Sequence, residues 1–155
     1  MDRREWLGAL GAGAVGLTAL TANAADTSDD DCCHLDKTHE DCLKACADCA
    51  KACDMTFNHC YHEVLEGKKE HARAMRLAAD CAGFCGLSAC NIAKMSPLMV
   101  YSCMACAEAC KATCAEVEKF DSEQMKMTAK KLRECERSCR EMVAQMKGGS
   151  GYRAN

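Results

Sequence analysis

The sequence predicts an all-α fold, an antiparallel up-down four-helix bundle with a cysteine-lined core. Three observations predict it. Cysteines recur every three or four residues in separate segments, the period of one face of an α-helix. Short turn signals at Gly67, Ser96-Pro97 and Asp121 divide those segments. No segment alternates with the two-residue period of a strand, and Pro97 is the one proline.

The chain opens MDRREWLGALGAGAVGLTALTANAA. Arg3 and Arg4 precede an apolar run of about 14 residues, and Ala22-Asn23-Ala24 has the small-x-small pattern of a cleavage site. Arg-Arg-x-Trp-Leu resembles a twin-arginine signal, which addresses folded proteins for export in bacteria. The run is too short and too glycine-rich for a good membrane span. Residues 1–24 are therefore expected to be a twin-arginine-type signal peptide, with no membrane partner after its cleavage. Residues 25–37 follow as an acidic flexible leader. Its Cys32, Cys33 and His34 are either an outer metal site or incidental groups on a mobile tail.

The first helix carries the stretch CLKACADCAKACDMTFNHC. Its Cys42, Cys46, Cys49, Cys53 and Cys60 lie 4, 3, 4 and 7 residues apart. At about 100° per residue they fall within an arc of roughly 60°, a stripe about 27 Å long. Lys44, Asp48, Lys51 and Asp54 take the rest of the surface. Thr38 is the expected N-cap, Asp41 puts acid in the first turn, and Gly67 supplies a left-handed C-cap.

The second helix, Lys68 to Met95, holds Cys81 and Cys85 about 40° apart. Cys90 points about 180° away from Cys81 and reads as peripheral. Ser96-Pro97 is the expected N-cap and first residue of the third helix. There Cys103, Cys106, Cys110 and Cys114 repeat the pattern at spacings of 3, 4 and 4. Asp121 with Gln124 gives the fourth helix a capping-box-like start. That helix runs to Lys147 with Thr128, Leu132, Cys135, Cys139, Met142 and Met146 along one seam. The bundle domain is thus residues 38–147, and residues 148–155 form a flexible tail.

After residue 24 the chain has only 15 Leu, Ile, Val and Phe, well below the usual share for a globular domain. Cysteine, alanine and methionine must fill the interior, and all 16 cysteines lie after the signal. A net charge of −3 argues against a nucleic-acid partner, which requires a basic face. No Ser-His-Asp set, phosphate loop or credible carboxylate pair stands out, so an enzyme is not expected. A redox role for a C-x2-C pair lacks the βαβ context of that motif.

Sixteen cysteines admit several chemistries. A disulfide-stabilised structural or interaction bundle fits an exported chain with an even count. Against it, cysteines at i and i+4 of one helix hold their Cβ vectors roughly parallel, a poor geometry for a bridge. Zinc or iron–sulfur sites need four converging thiolates, and a continuous line of sulfur does not divide into such sets. Cu(I) is soft and favours thiolate and thioether donors. As a monovalent ion it replaces each thiol proton without changing the buried charge, so about one ion per core cysteine is expected. The plain alternative is cysteine as a small buried apolar residue, which thirteen inward-aligned copies exceed.

The C-x3-C-x2-C-x3-C run from Cys42 to Cys53, the pairs Cys81/Cys85 and Cys135/Cys139, and the C-x2-C-x3-C-x3-C run from Cys103 to Cys114 resemble the bacterial copper storage proteins. That family consists of cysteine-lined four-helix bundles holding many Cu(I) ions. The likeness covers residues 38–146, and the leader resembles the exported branch. The resemblance implies that Cys42, Cys46, Cys49, Cys53, Cys60, Cys81, Cys85, Cys103, Cys106, Cys110, Cys114, Cys135 and Cys139 bind the metal. It also implies copper storage outside the cytoplasm, in the periplasm or beyond, by a homo-oligomer of tetrameric form. In the family, a histidine and methionines line the mouth where the first helix ends and the second begins. His59, His71 and Met75 are the matching candidates, with His62 nearby; surface histidines are the plain alternative. At the opposite end Met99, Met142 and Met146 are either a thioether relay or core filler. Cys32-Cys33, the off-stripe Cys90 and a fourth helix with only two cysteines depart from the family pattern and leave the stoichiometry open.

Overall fold

Four α-helices carry the chain in the computed structural model, which describes residues 35–148: α1 Lys37–Leu65, α2 Ala72–Ala93, α3 Met99–Val117 and α4 Glu123–Gly148. The expected signal peptide, the leader with Cys32, Cys33 and His34, and the tail from Gly149 lie outside the described residues. Each helix packs on its neighbour in chain order, and α4 closes back onto α1. Short connections force consecutive helices antiparallel, so the four form an up-down ring about one axis. Among the described residues no helix is long and apolar enough to cross a membrane.

Local chemistry sets the helix ends, and some differ from expectation. Asp36, not Thr38, caps α1, its Oδ1 accepting from the His39 amide at 3.0 Å. Carboxylate oxygen three residues before the amide satisfies an orphan donor, which leaves Thr38 inside the first turn. Gly67 ends α1 as expected at φ 92°, with the Lys68 amide donating to Glu63 O and its own amide to Val64 O, both at 3.0 Å. The chain then winds as a short 3-10 turn, Lys69–His71, so α2 begins later than Lys68. Its far end is closed by the same pattern around a residue that is not glycine. Met95 takes φ 49°, and the Ser96 amide donates to Asn91 O at 2.9 Å. Ser96 Oγ accepts from the Leu98 amide at 3.2 Å, so Ser96-Pro97 shapes the turn while α3 itself starts at Met99. At α4 the serine next to the expected cap does the work: Ser122 Oγ accepts from the Met125 amide at 3.4 Å, while Asp121 pairs with Lys126 at 2.7 Å.

Exposed ion pairs tie neighbouring helices, among them Lys131–Asp48 at 3.1 Å, Arg140–Glu108 at 3.0 Å and Arg133–Glu118. Each such pair contributes only about 0–1 kcal/mol. The core therefore decides stability. Its sides are small: Ala45, Ala74, Ala78, Ala107 and Ala129 are buried beside thirteen buried cysteines. Apart from Leu132, which sits between Thr128 and Cys135, the large buried apolar side chains gather towards the ends, with Ile92, Met99 and Met142 at one and Val117 and Met125 at the other.

Two backbone substitutions test the helix ends by denaturant melting of the reduced protein. Met95 is exposed, so Met95→Gly removes only left-handed strain and should stabilise the fold by about 1 kcal/mol. Gly67→Ala meets no atom within 4 Å and should cost a similar ~1 kcal/mol through φ alone. An unchanged midpoint in both variants would contradict these two caps.

Candidate metal centre

Seam positions every three or four residues bring one buried stripe from each helix to the bundle axis. On α1 the stripe is His39, Cys42, Cys46, Cys49, Cys53, Thr56 and Cys60. On α2 it is Ala74, Ala78, Cys81, Cys85, Ser88 and Ile92. Met99, Cys103, Cys106, Cys110, Cys114 and Val117 come from α3, and Met125, Thr128, Leu132, Cys135, Cys139 and Met142 from α4. All thirteen cysteines expected inside are buried, none more than 5% exposed, whereas Cys90 is exposed where its angle placed it.

Eleven of the thirteen sulfurs meet across the axis. Their Sγ atoms fall into four sets, each within 4.8 Å: Cys42/Cys103/Cys139, Cys46/Cys106/Cys135/Cys139, Cys49/Cys85/Cys110/Cys135 and Cys49/Cys53/Cys81. The sets overlap at Cys139, Cys135 and Cys49, so they form one continuous column. Nearest contacts run from 3.5 Å for Cys46–Cys139 and Cys85–Cys106 to 4.0 Å for Cys85–Cys135 and Cys106–Cys110. Every described cysteine is a free thiol. The two sets of four share Cys135, so two divalent ions could not each own four thiolates there. A chain of shared donors instead suits ions satisfied by two or three soft ligands.

A hydroxyl layer ends the column on one side. Thr56 Oγ1 and Thr128 Oγ1 lie 2.6 Å apart, both fully buried, and Gln124 Nε2 donates to them at 3.4 and 3.3 Å. Cys60 is buried beyond it, Cys114 is buried one turn along α3 from Cys110, and neither joins a sulfur set. Cys114 donates instead to Glu118 Oε1 at 3.1 Å. The structure brings His59 and His71 together here, rings edge to face with centroids 6.0 Å apart. His71 is buried and stacked on Phe120 at 4.1 Å, its Nε2 lying 3.8 Å from Glu63, while His59 Nε2 is 3.4 Å from Ser122 Oγ. Met75 is partly buried against the core, and His62 turns outward beside Tyr61.

Sequence reasoning missed three members of these stripes. His39, Thr56 and Ser88 are all buried. Each follows from extending the three–four register one step beyond a cysteine, which is the signal that was available.

Protonation follows from burial and from sulfur neighbours. Burial pushes the Cys60 thiol up to about 11, with the Glu63 carboxylate adding to it. Cys114 is pushed up to about 12, first by burial and then by the carboxylate of Glu118. In the column, Cys46, Cys85 and Cys110 are held well above the usual thiol range, first through Cys106 and with burial contributing. Cys135 is held below that range because Cys106, Cys110, Cys139 and Cys46 stabilise its thiolate. Neighbouring sulfurs therefore titrate as one coupled set, in which charge on one makes the next hold its proton.

A family model described as "Csp: Copper storage protein" matches residues 18–144. A cysteine-rich protein of Bacillus subtilis, YhjQ, is 35% identical over 112 residues, covering 71% of this chain and all of that protein. The Cu(I)-bound copper storage protein BsCsp3 superposes with a TM-score of 0.64 at 33% identity, covering 69% of this chain and 99% of that one. Apo copper storage protein 3 from Bacillus subtilis gives 0.59 at 36% identity, with 67% and 97% covered. Matched over most of its length and built on the same cysteine-cored bundle, the chain belongs to the copper storage protein family.

Proposed function

We propose that this chain is a non-enzymatic copper store that holds multiple Cu(I) ions on its core cysteines. One observation carries the reading: eleven buried sulfurs form overlapping sets along a single axis. A family relative of closely similar fold is Cu(I)-bound, which supports the identity of the ion. The chemistry agrees. Apo thiols stay mostly neutral because buried thiolates lack solvation. Each incoming Cu(I) displaces one proton to solvent and leaves the core charge unchanged. A divalent ion bound by four thiolates would leave two negative charges in a dry interior. The column cysteines are the ligands in this reading, with Cys60 and Cys114 as outlying donors, His59, His71 and Met75 lining one mouth, and Cys90 outside the store. The twin-arginine-type leader supports export, so that copper is held outside the cytoplasm, and the family supports a homo-oligomer.

Three measurements test it. Anaerobic titration with Cu(I) against a chromophoric chelator should plateau between eleven and thirteen ions per chain, the column alone and the column with Cys60 and Cys114. Saturation at one or two ions would refute storage. Producing the full-length chain in cells lacking the twin-arginine translocase should trap the uncleaved precursor; normal processing there would refute that route. The third measurement is of stability against pH. Cys60 and Cys114 keep their protons to about 11 and about 12 when folded, against an ordinary 9.0. Their contribution is therefore full below pH 9 and is lost as pH rises through 11 and 12. The reduced apo protein should melt progressively lower above about pH 9, and copper loading at neutral pH should raise its melting temperature. Identical melting of apo and loaded protein would contradict the reading.

A further inference from the structure

We propose a second Cu(I) site at the end where α1 begins, made by the imidazole of His39 and the thioethers of Met99 and Met142, which hands ions directly to the Cys42/Cys103/Cys139 trio. It rests on the Cu(I) reading of the column and adds a place of entry.

The register places these groups together. Cys42, Cys103 and Cys139 have sulfurs within 4.8 Å of one another. His39 precedes Cys42 by three residues, Met99 precedes Cys103 by four, and Met142 follows Cys139 by three. Because α4 runs opposite to α1 and α3, all three steps lead outward to the same end, by about 4.5–6 Å. One imidazole and two thioethers thus form the next layer beyond the last thiol trio, on the buried stripes of three helices. The remaining helix, α2, contributes Ile92 there.

His39 is the member a plain core does not need. It is only 9% exposed. Its Nδ1 faces Asp36 Oδ1 at 2.8 Å, the way a carboxylate partner orients a metal-binding histidine, which leaves Nε2 for the ion. A plain core would place an aliphatic side chain at this position. Asp36, half-exposed above the ring, supplies negative charge on the solvent side.

Donor chemistry gives the site a direction. Imidazole and thioether are neutral, so an ion there keeps its positive charge and is held less firmly than among thiolates. Transfer inward breaks those neutral contacts, forms bonds to thiolate sulfur and releases the displaced thiol protons to solvent. At the opposite end, Thr56, Thr128 and Gln124 stand between His59/His71 and the last column sulfurs. Hydroxyl and amide groups are poor partners for a soft ion. At the His39 end, by contrast, the next layer offers soft donors from three helices.

The test uses the full-length reduced protein and Cu(I) carried by a chromophoric chelator. With methionine labelled by 13C at the methyl, the first additions of Cu(I) should move the Met99 and Met142 signals, and Met75 should respond later or not at all. The double variant M99L/M142L keeps side-chain volume, and His39→Gln removes the imidazole. Both should load more slowly by about tenfold or more, with final uptake lower by no more than one ion. Unmoved Met99 and Met142 signals together with unchanged loading rates would overturn the proposal. If a variant fails to fold, its equilibrium capacity collapses and the spectra of the unmodified protein decide alone. Failure of the storage reading itself is distinguishable, since the unmodified protein would then bind one or two ions at any rate of delivery.

Discussion

Sulfur can be buried in this bundle only if its charge is not, and the rest of the structure answers to that constraint. A protonated thiol is small and neutral and packs as a modest apolar group; a thiolate in the same place lacks solvation. Eleven sulfurs along one axis therefore behave as a shared proton reservoir rather than as independent acids. Helices are the natural scaffold for it. Four rods each present a donor every three or four residues, and their backbone amides are satisfied within each rod, leaving the axis free for side chains. Alanines flank the column, which lets the sulfurs of different helices approach to 3.5 Å.

The part of this that was legible in the sequence is the part that depends on local period. Thirteen cysteines placed inward by angle are all buried, and Cys90, placed outward, is exposed. Gly67 marks its turn because left-handed backbone suits glycine. Other features depend on choices between near-equivalent neighbours. Asp36 and Thr38 are both capping residues, as are Asp121 and Ser122, and the winner is set by which oxygen reaches the amide three residues on. Met95 adopts left-handed backbone with no glycine to announce it. Pairings such as Cys46 with Cys139 depend on how α1 slides against α4, which no local pattern encodes.

His39 and Thr56 were missed for a different reason. Each sits in a helix already explained by its cysteines, and a histidine or threonine within such a segment reads as surface by composition. Only extending the same stripe one step before Cys42, and filling its gap between Cys53 and Cys60, brings them inside. The two ends of the bundle then become chemically unlike. One places His39, Met99 and Met142 one layer beyond the buried trio Cys42/Cys103/Cys139; towards the other, paired hydroxyls of Thr56 and Thr128 interrupt the sulfur between α1 and α4.

That contrast bears on what fixes the length of the store. The helical stripes run well past the sulfur column: on α1 the buried series continues through Thr56 to Cys60, and on α4 it starts at Met125, before Thr128 and Leu132. Helix length is thus not the limit. A threonine at a stripe position keeps the layer packed, but its hydroxyl does not ionise in the range where a thiol does and gives a soft ion little to bind. Thr56 and Thr128 also pair at 2.6 Å, and while Thr128 donates to Gln124 O at 2.9 Å, opening their layer would leave the buried Thr56 hydroxyl only its long contact with Gln124. The boundary is therefore held by the apo fold itself, before any ion arrives. The number of ions in the column follows from where cysteine gives way to threonine on α1, to leucine on α4 and to alanine on α2, which is a property of side-chain identity at constant backbone.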